Sequence, residues 1–464
     1  MKHHDHTPLL AALATEYERR SPKSAALQVE ARRFLVDGGS HTLRLLQPFP
    51  PRIAGASGAW LQDEDGHRIL DFWQGHYANI LGHNPPEILS ALLRQMSGGS
   101  GLQTGFTDRL QVDTAELLCR LTGCERVRFT TSGSLTTMYA VLIARAFTGR
   151  DRLMKVGGGW HGAQPWGLKG VDFHDENHSR FQHVETKGLP AAIAREVLVT
   201  RFNDPQMLEE AFQRHGDELA CFIVEPFIGA GGFLPADREY LALARELCTR
   251  HGVVLIFDEV ISGLRFHAGS AGQLYGVKPD LSTFAKIVGG GMPVAAVGGR
   301  ARLMDLVGRS GGVKFSGGTY SGHPASMLAA RTMMSYLEAN APTIYPRLAS
   351  LGQRARRAVE AAFAAEGLLA VCTGDGNEAV PGSSLGMVQF PHKEGTRFRS
   401  PEDTRDPAIC DVALSDTVLQ LALLLEDVHV AHGMGALSTA HTEADVDRLA
   451  EACRSAARRI VASY

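Results

Sequence analysis

The sequence predicts an α/β fold built on a mainly parallel sheet, and three observations carry that prediction. Between about residues 84 and 325, short apolar runs alternate with helical stretches. Those runs have no polar face, as expected of strands covered by helices on both sides. The chain has 464 residues, 44% of them hydrophobic, enough for two or three domains of about 100–200 residues each.

Taken in order, residues 9–36 read as helix, with Leu9, Leu13 and Tyr17 and later Leu27, Phe34 and Leu35 at helical spacing. From Gly58 the stretch GAWLQDEDGHRILDFW alternates around Asp65-Gly66, a hairpin signal. Seven strands follow: Arg126–Thr131, Arg152–Val156, Val197–Arg201, Leu219–Glu225, Val253–Asp258, Ser282–Ala285 and Val294–Gly298. Leu135–Phe147 and Arg238–Arg250 are among the helices between them. Beyond about residue 325 a long helix (Pro324–Ala339) leads into helices and shorter strands, including Gly386–Phe390 and Val428–Val430, a smaller α+β part. The division is an N-terminal segment 1–83, a large domain 84–325 and a C-terminal small domain 326–464. The polar stretch Pro391–Pro407 reads as an exposed loop.

Composition narrows the function. A net charge of −3 gives no electrostatic reason to expect nucleic acid or a membrane surface as partner. The apolar run Leu9–Ala14 is far short of the roughly 18 residues of a membrane span and continues into Glu16–Arg20. Seven cysteines without a CxxC pair indicate a reduced, cytoplasmic chain, with Cys221 and Cys248 as buried small hydrophobes. His3-His4-Asp5-His6 reads as a disordered terminal tail rather than a metal site. The 50 glycines, about 11% against a usual share of about 7%, gather at 157–159, 231–232, 289–291, 298–299 and 317–318.

In open α/β sheets, ligands bind beyond the carboxyl ends of the strands. There RVRFTT runs into Ser132-Gly133-Ser134 and a helix, an arrangement that aims free N–H groups at an anion. VVLIF ends in Asp258-Glu259, and Lys286 closes the next strand between apolar neighbours and a run of three glycines. A desolvated amine of this kind suits Schiff-base chemistry. Each part alone has a plainer reading: a helix N-cap, a structural ion pair, a surface lysine. Together they match what pyridoxal 5′-phosphate (PLP) requires, namely a lysine, a carboxylate for its pyridine nitrogen, a phosphate cradle and a stacking ring.

The sequence resembles the class-III aminotransferases of PLP fold type I, most closely their glutamate-1-semialdehyde aminomutase-like branch. The resemblance rests on GHNPPE (82–87), RFTTSGS (128–134), ARAFTGR (144–150), GGWHG (158–162), IVEP (223–226), FDEVISGLR (257–265), PDLSTFAKIVGGGMP (279–293), GTYSGHP (318–324) and LSTAHTEADVD (437–447), and it covers about residues 30–460. It implies a fold type I large domain with a mainly parallel seven-stranded sheet, and a small α+β domain from the N- and C-terminal parts. It assigns Lys286 as the lysine that binds PLP and shuttles the proton, and Asp258 as partner of the pyridinium nitrogen. Ser132, Gly133 and Ser134 would hold the phosphate, with Thr319 reaching in from the second subunit of a homodimer. Trp160 and Val260 would flank the ring, and Asn203 and Glu225 match positions near the cofactor, whereas His161 matches a structural neighbour of the stacking aromatic.

The family pattern breaks at three places. Leu135 stands where a glutamate is usual, Trp160 replaces Tyr or Phe, and His323 replaces Asn. The region around QPFPPRI (47–53) also resembles β-phenylalanine aminotransferases, whose upstream carboxylate-gripping arginine is His41 here, while VAHGMG (430–435) has no arginine. Arg44 and Arg265 are the remaining candidates for a carboxylate grip. Trp73, His76, Tyr77 and the loop near His432 would line the pocket. The reading is an aminotransferase that moves an amino group from a small amine or amino acid to an oxo acid. An intramolecular aminomutase, and racemisation or elimination, are alternatives on the same scaffold.

Overall fold

A computed structural model describes residues 4–174, 179–431, 433 and 435–464. Seven strands form its central sheet: β1 (Arg126–Thr130), β2 (Arg152–Val156), β3 (Val197–Thr200), β4 (Leu219–Val224), β5 (Val254–Asp258), β6 (Leu281–Phe284) and β7 (Ala295–Gly299). Their spatial order is β1-β7-β6-β5-β4-β2-β3. All neighbours are parallel except β7, which runs antiparallel to both β6 and β1. Every residue of β4, β5, β6 and β7 is buried. This two-sided burial explains the continuous apolar runs in the sequence. Val254 and Ile256 pack with Tyr139 and Ile143 of the helix Gly133–Thr148, whereas Leu255 and Phe257 pack with Phe212 and Tyr240 on the other face. Each such buried side chain contributes about 1.5–3 kcal/mol.

The register brings the chemistry together. Asp258, the last residue of β5, lies opposite Thr283 of parallel β6, so Lys286 follows three residues beyond that pairing. At the same edge the helix Gly133–Thr148 begins, with Gly133 against Val260 and Ala285.

The terminal parts share a second core, which includes Leu13, Phe72, Val359, Leu419, Val428 and Ile460. Trp60–Asp63 and Arg68–Asp71 form the hairpin around Asp65-Gly66, and Ile53–Ser57 pairs with its outer side. The fourth strand, Val428–His429, comes from far along the chain and runs parallel to Arg68–Asp71. No helix among the described residues is long and apolar enough to cross a membrane, and all seven cysteines are unpaired.

Three expectations change. The helix read over 9–36 is two helices, Thr7–Arg20 and Pro22–Ala31, because Pro22 has no N–H to continue the first. Phe34 lies beyond the second and is 77% exposed. His4 and His6 are not a loose tail: His6 is buried and its Nε2 lies 2.7 Å from Asp411, while the His4 ring stacks on Tyr464. His3 lies outside the described residues. Finally, of the stretch 391–407 only residues 393–399 and Pro407 are mostly exposed. Ser400, Pro401, Glu402 and Thr404 are buried, and Arg201 holds the segment through Ser400 Oγ (3.0 Å) and Asp403 (2.9 Å).

Candidate active site

Lys286 leaves β6 with φ at +51°, in the left-handed region, and begins a single 3₁₀ turn to Gly289. A non-glycine residue held there costs about 1–3 kcal/mol, a strain that packing sustains at functional positions. Burial draws its amine down from 10.5 to about 8, against the Asp258 and Glu225 carboxylates, while the Arg265 cation depresses it further.

Asp258 is buried and fixed on three sides. Its Oδ2 lies 2.7 Å from His161 Nδ1, and its Oδ1 accepts from Val260 N (3.1 Å) and Thr283 Oγ1 (3.0 Å). His161 is therefore the direct orienting partner of the carboxylate, a closer role than the sequence indicates. Burial lowers the His161 pKa, opposed by its hydrogen bond to Asp258 and that charge. Its Nε2 is buried and has no hydrogen-bond partner among the described residues. The neighbouring Glu259 turns away, accepting from Ser270 Oγ and Ala271 N at the start of a short helix.

Ser132 is the N-cap of the helix Gly133–Thr148, accepting from Leu135 N at 3.3 Å. The first-turn N–H groups of Gly133 and Ser134 have no intrahelical acceptor, so they form an anion cradle. A Cβ on Gly133 would sit 3.2 Å from both Val260 methyls, so a larger residue would push the cradle off the strand end. Leu135 occupies the third helical position, where an acid would complete a capping box. Here it packs on the apolar core instead.

Trp160 is 38% exposed, and its N–H donates to Glu225 Oε1 (2.9 Å), while Glu225 Oε2 accepts from Gly229 N (2.9 Å). Burial, then the Asp258 charge, pushes the Glu225 carboxyl up to about 8 against those two amides. Asn203 spends its side chain on the main chain: Nδ2 donates to Pro235 O and Arg399 O, and Oδ1 accepts from Asp237 N. Thr319 is exposed, on the loop after Gly317-Gly318, which runs against the edge strand β1 at Phe129. It borders an open groove of about 820 Å³ with Phe106, Gln111 and Phe315.

A second wall faces the site. The His41 and His76 rings are 4.5 Å apart, those of Trp73 and His76 4.3 Å, and Arg44 Nε approaches His76 Nε2 at 3.4 Å. Burial and the Arg44 and Lys286 charges hold the His41 imidazole below its ordinary value. The backbone behind this wall is unusual, since Gln74, Gly75, His76 and Tyr77 all have positive φ, between 47° and 66°. Asp71 pins it by accepting from Trp73 N and Gln74 N, and its oxygens also bind His429 and His83. Burial raises the Asp71 pKa, but the two histidines outweigh this and hold it well below the usual carboxylate range. His432 lies outside the described residues.

Arg265 is not a free carboxylate grip. It is 3% exposed, its Nε donates to Ile261 O (2.7 Å) and its Nη2 to Tyr77 O, and among the described residues no acid pairs with it. Arg44 is exposed and likewise has no acidic partner among them.

The donor set fits PLP. A carboxylate locked by three donors suits a pyridinium nitrogen, a lowered amine suits the aldehyde, and a glycine-dependent helix N-terminus suits the phosphate. Comparison with known proteins agrees. The family model described as aminotransferase class-III matches residues 46–369. A glutamate-1-semialdehyde 2,1-aminomutase of Sorangium cellulosum (strain So ce56) is 35% identical over 448 residues, covering 94% of this chain and 96% of the relative. Among solved structures, an omega-transaminase from Sphaerobacter thermophilus superposes with a TM-score of 0.84 at 32% identity, covering 94% of this chain and 97% of that one. A β-phenylalanine aminotransferase from Variovorax paradoxus gives 0.82 at 31%, covering 96% of each chain.

Proposed function

The chain belongs to the class-III aminotransferases, with pyridoxal 5′-phosphate as cofactor, and from that premise we propose that it moves an amino group between carbons of a small substrate, with Lys286 carrying the proton. The observation behind this reading is the lowered Lys286 amine at the same sheet edge as the carboxylate of Asp258. When bound, PLP supplies an electrophilic carbon for the substrate amine and a ring that takes up the electron pair of the broken C–H bond. Asp258 keeps the ring nitrogen protonated, and His161 and Thr283 keep Asp258 in line. The N–H groups of Gly133 and Ser134 with the Ser132 and Ser134 hydroxyls hold the phosphate, while Trp160 and Val260 confine the ring between them. Glu225 fixes the Trp160 backbone, and Asn203 fixes the loops at 235–237 and 399.

The named relatives favour an intramolecular shift of the glutamate-1-semialdehyde 2,1-aminomutase type over the intermolecular transfer expected from sequence. The second reading, transfer to a separate oxo acid, is favoured by the transaminases among the solved structures at 30–32% identity. Supplying glutamate-1-semialdehyde without any oxo acid separates them. Formation of 5-aminolevulinate supports the first, whereas no product there and one equivalent of ketone per amine with a 2-oxo acid supports the second.

In either reaction Arg44 is the cation placed to meet a substrate carboxylate. Arg44→Ala is expected to raise KM for a carboxylate-bearing substrate about tenfold, the effect of one charged hydrogen bond, with kcat little changed. An unchanged KM removes Arg44 from this role. The same reading makes the protein a homodimer whose Thr319 reaches the phosphate of the partner's cofactor. In support, Leu102, Phe106, Val112 and Tyr320, on segments that adjoin Thr319 or its groove, are each more than half exposed. Sedimentation is expected to give twice the chain mass, and a monomer would rule out the Thr319 contact.

A further inference from the structure

Lys155 is a second lysine at this end of the sheet that the chemistry above does not use. It lies within β2, its side chain fully buried. Its Nζ lies 2.8 Å from Gly159 O, 3.1 Å from Gly167 O and 2.9 Å from Lys169 O. Three carbonyl acceptors match the three N–H groups of an ammonium, whereas a neutral amine would turn its lone pair toward one of them. No carboxylate is in ion-pair contact with it among the described residues, and Glu225 and Asp258 act on it only at longer range, with His161 the other titratable neighbour. Burial draws the amine down from 10.5 to about 7 against those two carboxylates, so the charged form that the three carbonyls favour is costly there and its placement calls for a reason.

The three carbonyls supply one, because all belong to residues 157–169, the loop that carries Trp160 and His161. That loop has no helix or strand of its own over 157–169. Other ties reach it at single points: Thr137 Oγ1 donates to His161 O (2.6 Å), and Trp160 N binds Glu225. Among the described residues only Lys155 gathers the start of the loop (Gly159) and its end (Gly167 and Lys169) on one atom. We propose that Lys155 is a positioning residue for the cofactor, a buried ammonium around which residues 157–169 wind, setting the Trp160 ring on the cofactor face and His161 on Asp258. The inference rests on the PLP assignment and on neither of the two reactions.

The test uses PLP-loaded protein with Lys155→Met, which keeps length but no donor, and Lys155→Arg, which keeps the charge. Far-UV circular dichroism establishes that the fold is intact. With Lys155→Met the PLP dissociation constant is expected to rise about tenfold or more, as for other residues that orient a ligating group. The visible circular dichroism of bound PLP should fall to less than half, and the pH midpoint of its visible band should move up, because a nearby positive charge is gone. Lys155→Arg should recover part of each. A folded Lys155→Met with wild-type affinity, dichroism and midpoint would overturn the proposal. If Lys155→Met does not fold, Lys155→Gln replaces it under the same readouts, and failure of both to fold would reduce Lys155 to an ordinary stabilising group and end the proposal. A wild-type protein that shows no visible PLP signal would refute the site itself, a separate outcome.

Discussion

Lys286→Ala is expected to lower turnover by about 10⁴-fold, the upper range of positioned acid–base catalysis, and to abolish the visible band of lysine-bound PLP. No other described amine is placed to substitute. Lys155 is held by its three carbonyls, and the Lys169 Nζ donates to Ala194 O and Val197 O. The variant's single-turnover rate, measured by product formation, tests the claim, and a loss smaller than tenfold would sink it. The cofactor-free protein gives a second readout of the same amine, which is free there. Lys286 attacks the PLP aldehyde only as the free base, and its pKa is lowered from 10.5 to about 8. The rate of PLP uptake, read from its visible band, should therefore rise with pH and level off above about 8. A rate that continues to climb toward pH 10 would mean that the amine is not desolvated.

Asp258→Asn is the other large effect, with an expected loss of about 10²–10³-fold in kcat, the range for removing one preorganised charge from a site. The amide keeps the shape of the carboxylate but offers one oxygen where Asp258 uses two, toward His161 on one side and Val260 and Thr283 on the other. Cofactor binding should survive because the phosphate cradle and the Lys286 link remain. KM should also change little, since in the proposed role Asp258 meets the cofactor and not the substrate. A kcat within threefold of wild type, with PLP bound, would show that His161 or another group fulfils its role.

Much of the fold was legible because its strands are short apolar runs between turn residues, and the seven strands fall within about one residue of the sequence reading. Asp258 and Lys286 stand out in the sequence for a related reason, as charged groups closing apolar strands are conspicuous, and the register places both at one sheet edge. What escaped depends on chain segments that meet only in three dimensions. An arginine following FDEVISGL reads equally well as a substrate grip or a structural post. Its fate is decided by the Tyr77 carbonyl, 188 residues away. Lys155 stood in plain view inside RLMKV, yet the carbonyls it collects lie in a loop without periodicity. His6 needed Asp411, 405 residues away, to become part of the fold. At Pro22 the local signal was present but was outweighed by the helical spacing on either side.

The left-handed turn at residues 74–77 has a consequence for altering the substrate range. Its conformation is dictated from behind, by a buried aspartate shared with two histidines, one of them contributed by His429 from the opposite end of the chain. The rings of Trp73 and His76 can therefore be exchanged like tiles, while the mortar beneath them cannot be recast without loosening the C-terminal strand as well. A campaign to broaden specificity should diversify positions 41, 44, 73 and 76 and leave 71, 74, 83 and 429 untouched. Variation at the second set would surface as poor expression rather than new chemistry.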